Sequence, residues 1–180
     1  MIYKNKWMRV NPVTLCLVMA LVILSVRCGS RMNGKKVVEN AEQLEVALSV
    51  AIPGDTLLLA NGEWKDAELK IVANGTAENP IVIMAETPGE VKLTGNSNLK
   101  IAGEYLVVNG LHFTEGYTPT AEVISFKVKK DQLANHCRIT QTVISNYSNP
   151  ERHDNDYWVG MYGKNNRFDH NALVGKGNKG

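Results

Sequence analysis

The sequence predicts an all-β solenoid, a parallel β-helix closed at its front by one short helix. Three observations lead there. Apolar runs of four to six residues, each bounded by turn residues, fill the chain from Thr56 to Val128. A strand–turn–strand pattern recurs at intervals of 24 to 31 residues. Helical periodicity occurs once, over residues 37–51, and only strand-like runs follow it.

The helical segment is VVENAEQLEVALSVA, in which Val38, Ala41, Leu44, Ala47, Leu48 and Ala51 share a face. Ile52-Pro53-Gly54-Asp55 ends it sharply. The runs after it are Thr56–Ala60, Leu69–Ala73, Ile81–Ala85, Val91–Thr94, Leu99–Ala102, Tyr105–Asn109 and Val123–Val128. Three stretches then align without gaps: VVNGLHF at 107–113, RITQTVI at 138–144 and RFDHNAL at 167–173. Val108, Ile139 and Phe168 occupy the second position, Asn109, Thr140 and Asp169 the third, and Phe113, Ile144 and Leu173 the seventh. Leu57, Ile81 and Leu106 continue the series upstream. In a solenoid such equivalent residues stack about 4.8 Å apart, apolar ones inward and polar ones in ladders at the bends. Length varies within 114–135 and 148–157, which reads as loops projecting from one corner. A β-sandwich with strands every 8–12 residues is the alternative, but it has no need of such matches between units.

The ends and the charge narrow the setting. Lys4, Lys6 and Arg9 precede an uncharged, mostly apolar run from Val13 to Val26, the pattern of an export signal rather than of a membrane span, which needs roughly 20 residues. Residues 1–28 are therefore expected to be a signal peptide and 29–36 a polar tether. Cys28-Gly29-Ser30 resembles a bacterial lipoprotein acceptor, although Arg27 stands where a small residue is expected. Lipid anchoring at Cys28 to the outer membrane, release into periplasm or medium, and uncleaved anchoring all put the mature chain outside the cytoplasm. Removing the four basic residues of this leader leaves 16 basic residues against 18 acidic ones, which argues against nucleic acid as a partner. Cys137 is the one cysteine of the body, so neither an intramolecular disulfide framework nor a CxxC metal pair is present.

From Val37 to Gly180 the sequence resembles polysaccharide lyase family 6, the alginate lyases and the related chondroitinase B. The resemblance rests on PGDTLLLANGEWKDAELKI, on GTAENPIVIMAETPGEVKLTGNSNLKIAGEYLVVNGLHF, and on YWVGMYGKNNRFDHNALVGKGNKG at 157–180. It implies a right-handed parallel β-helix with the pectate-lyase-like fold, here the N-terminal coils over 37–180. It further implies an enzyme that cleaves an acidic polysaccharide by β-elimination at the C4–O link to a uronic acid. That chemistry needs the C6 carboxylate neutralised, usually by Ca2+ in this family, a lysine to take the C5 proton, and an arginine to assist the departing oxygen. The family's calcium-binding Asn and Glu residues, its lysine and its arginine are expected beyond the NRFDHN block, past residue 180. No catalytic or metal-ligating residue is therefore assigned in this chain. A chain ending here is expected to be a fragment or truncated product, inactive and poorly soluble alone, because an uncapped coil leaves strand edges and apolar surface open.

Candidate substrate contacts are Arg152, Tyr157, Arg167, His170 and Lys176. Arginine pairs bidentately with carboxylates and tyrosine stacks on sugar faces. The opposing reading makes residues 150–157 a solvated loop and gives Asp169 and Asn171 a structural role holding a turn. His153, Asp154 and Asp156 lie too close in sequence to read as a metal site, and His112 and His136 read as packed or surface residues. Trp64 and Trp158 read as core cover. The substrate implied is alginate, with chondroitin or dermatan sulfate as the alternative polymer. A non-catalytic carbohydrate-binding or surface β-helix protein is the alternative from another class. Oligomeric state is not legible.

Overall fold

Short β-branched runs pair edge to edge most readily when each finds an identical pattern one turn later, and this is what the chain does. The computed structural model describes residues 35–151 and 157–177. Three parallel sheets run along one axis. The first holds β1 (Lys35–Val38), β2 (Thr56–Leu59), β5 (Ile81–Ala85), β8 (Leu106–Asn109), β13 (Arg138–Thr140) and β16 (Arg167–Asp169) in that order. The second holds β3 (Gly62–Lys65), β6 (Val91–Gly95), β9 (Leu111–Gly116), β14 (Val143–Ser145) and β17 (Ala172–Val174). The third is built from β4 (Glu68–Asn74), β7 (Asn98–Glu104), β10 (Glu122–Ser125) and β15 (Tyr157–Gly160), with β12 (Gln132–Asn135) also lying on β7. A short antiparallel excursion, β11 (Lys127–Lys129) paired with β12, interrupts this third sheet.

The expected columns form. Val108, Ile139 and Phe168 are in register, as are Asn109, Thr140 and Asp169 beside them. Phe113, Ile144 and Leu173 stack in the second sheet. Upstream the register differs from the sequence reading: Leu57 pairs with Ile83, not Ile81, while Ile81 does pair with Leu106. A two-residue slip keeps every side chain on the same face, so alternation alone cannot distinguish the two registers. The stretch 114–135 is not chiefly a projecting loop. Val123, Ile124, Phe126 and Ala134 within it are fully buried, and β10 and β12 extend the third sheet. β3 was also missed, because Gly62-Glu63-Trp64-Lys65 offers a single apolar residue, Trp64, which covers the core as expected.

The front helix is shorter than its periodicity suggested. Helix α1 spans Ala41–Ser49, and Lys35–Val38, which includes the end of the expected tether, pairs with β2 instead. Asn40 decides the boundary: its Oδ1 accepts from Gln43 N at 2.9 Å, while Gln43 Oε1 accepts from Glu39 N at 3.0 Å. Leu44, Ala47 and Leu48 are the face that α1 buries. Ile52 to Asp55 then turns the chain into the first coil, with Ile52 N donating to Asp55 Oδ2 at 3.0 Å.

Corners are made by single residues in the left-handed region. Tyr105, His136 and Asn165 stack at one corner, and Gly110, Gln141 and His170 at another, all with positive φ. Inside the corners, side chains of one coil satisfy amides of the coil before it. Asn166 Oδ1 accepts from Cys137 N at 2.9 Å and its Nδ2 donates to Ala134 O at 2.7 Å; Asn171 does the same for Thr142 N and Ile139 O. Cys137 occupies the position equivalent to Asn166 one coil earlier, and its thiol donates to Asn135 O at 3.2 Å. Burial pushes that thiol above its ordinary pKa, so it acts as a packed hydrogen-bonding group rather than a nucleophile. At the opposite end from α1, Leu173 and Val174 are 47% and 58% exposed, although the equivalent Ile144 is fully buried.

One outcome tests this packing. Phe113→Ala should lower stability by about 3–5 kcal/mol, read as a shifted urea midpoint.

Candidate functional site

Near α1 a cleft of about 460 Å³ is lined by Glu39, Glu63, Asp66 and Glu68 with Lys65, a surface that repels a polyanion. On the third sheet Lys70, Lys100 and Lys127 are already engaged. Glu68 bridges Lys100 at 2.5 Å and Lys70 at 2.8 Å, and hydrogen bonds from Lys100 and then Lys70 hold its carboxyl below the usual range. Lys127 lies 3.5 Å over the Tyr162 ring, and the Tyr162 hydroxyl donates to Glu122 Oε1 at 2.5 Å.

The outer face of the first sheet differs. Its outward column begins with Lys35, continues through Thr56, Val82 and Val107, and in the last two coils reads Arg138 and Arg167, in direct register. The adjacent column passes from Leu58, Met84, Asn109 and Thr140 to Asp169. Arg138 grips Asp169 with two bonds, Nε to Oδ1 at 2.8 Å and Nη2 to Oδ2 at 3.1 Å. Arg167 Nη2 donates to the same Oδ2 at 2.7 Å, and His170 Nδ1 lies 3.5 Å from it. Hydrogen bonding from Arg138, then the nearby charges of Arg138, Arg167 and His170, outweigh desolvation and bring the Asp169 pKa down to about 2. The carboxylate is recessed, at 23% exposure, whereas Arg167 and His170 stand out at 66% and 72%.

Of the residues singled out from the sequence, Arg167 and His170 come together here. Lys176 lies past the far end of β17, its ammonium 5.8 Å from the Trp158 ring centroid. Tyr157 is half-exposed at the start of β15, on the third sheet. Among the described residues, Tyr157 on the third sheet and Lys176 beyond β17 lie on other elements than Arg167 and His170. Arg152, His153, Asp154 and Asp156 lie outside the described residues, as do the export signal and Cys28. His112 bonds Ser145 Oγ at 2.8 Å and His136 stacks on Tyr105, both packing roles. Asn171 holds its turn as expected, but Asp169 binds arginines rather than a turn amide. Among the described residues no three His, Cys, Asp or Glu side chains converge as metal ligands. The described residues thus do not fit a calcium site.

The family described as chondroitinase B matches residues 38–180 of this sequence. The chain belongs to that family. Among solved structures, the polysaccharide lyase family 6 (PL6) alginate lyase AlyGC is 54% identical, with a TM-score of 0.80 over 82% of this chain and 20% of that one. The PL6 polysaccharide lyase Pedsa3628 from Pseudopedobacter saltans is 32% identical, with a TM-score of 0.73 over 81% of this chain and 32% of that one. A mannuronic-acid-specific family 6 lyase from human gut microbiota is 31% identical, with a TM-score of 0.66 over 76% of this chain and 33% of that one. This chain thus spans a fifth to a third of the length of those structures. No curated protein matches it.

Sequence reasoning overlooked Arg138 and gave Asp169 a turn-holding role rather than its place between two arginines. The signal was available: RITQTVI and RFDHNAL both begin with arginine, and a 29-residue step stacks them. What alignment could not supply was the diagonal reach from Arg138 to Asp169.

The depressed Asp169 pKa has a sign that can be checked. A carboxyl whose folded pKa, about 2, lies below its ordinary 3.8 adds stability above pH 3.8 that is lost as pH falls through 2. Asp169→Asn should therefore flatten the acid limb of the stability–pH curve between about pH 4 and 2. Acid titrations followed by circular dichroism in both proteins would show it.

Proposed function

We propose that this chain forms the helical cap and first coils of an exported polysaccharide lyase that cleaves uronate-containing polysaccharide by β-elimination, with alginate as its polymer. The observation that carries the reading is the 54% identity to an alginate lyase across the cap and coils. A mannuronic-acid-specific neighbour at 31% identity points the same way. In such an enzyme the described residues shape the solenoid and one end of its outer face. Proton abstraction from C5 and assistance to the departing oxygen belong to groups past residue 180, as does the calcium ion implied by the family. Export rests on the basic and apolar leader, with Cys28 as the acceptor if the mature protein is lipid-anchored.

A second reading keeps the reaction and changes the polymer to chondroitin or dermatan sulfate. The family description favours it. The test is the absorbance of new unsaturated uronate ends when the complete gene product carrying this chain is given polymannuronate, polyguluronate or dermatan sulfate. Product from the first two and none from the third is expected. Product from dermatan sulfate alone selects the second reading. Binding without unsaturated ends on any polymer makes this a non-catalytic β-helix and overturns both.

A further inference from the structure

We draw no further inference here: the strongest candidate, the apolar groove between the edge strand β1 and helix α1 lined by Val37, Val38 and Val46, carries nothing, because nothing in the structure shows what covers it.

Discussion

Everything in this molecule depends on the parallel stacking of rungs. In the parallel sheets, a backbone N–H or C=O of one coil has its partner in the coil before or after. A residue's surroundings are therefore set by its equivalents about 4.8 Å above and below. This makes the solenoid a one-dimensional structure in which a change is felt mainly by nearest neighbours. It also explains the division of labour among residue types. Apolar side chains such as Val108, Ile139 and Phe113 fill the interior, while Asn166 and Asn171 reach back to satisfy amides that the corners leave unpaired.

The same rule creates requirements at the corners. A sharp turn between two sheets needs a residue with positive φ, and the chain uses Tyr105, His136, Asn165, Gln141 and His170 for this as well as glycines. A non-glycine residue held there carries some strain, which neighbouring rungs offset by fixing it. At Gly163 no alternative exists: φ is +79° and a Cβ would collide with the Ala134 carbonyl of the preceding coil. Corner side chains project outward once the backbone is fixed, which is how His170 comes to stand beside Asp169.

Stacking also concentrates charge. Placing Arg138 and Arg167 in one column brings two like charges together, and Asp169 in the neighbouring column bonds to both. In a globular domain with irregular packing, two such arginines would diverge. Here they are held side by side. Family membership supplies the class of protein.

The sequence by itself determined the class of fold and most of the inward columns. Those depend on apolar alternation and on a recurring interval, and both are written in residue order, as with Val108, Ile139 and Phe168. It also gave Asn171 a role in holding a turn, which its bonds to Thr142 N and Ile139 O perform. Tertiary structure decided the Leu57–Ile83 register, since slips of two residues preserve the face. It decided the start of α1 as well, where capping by Asn40 and the pairing of Lys35–Val38 with β2 prevail over helical periodicity. The distinction extends to the surface. A column of equivalent residues can be read along the chain, but the diagonal contact of Arg138 with Asp169, and the distance of Tyr157 and Lys176 from it, arise only when neighbouring rungs are brought into register in space.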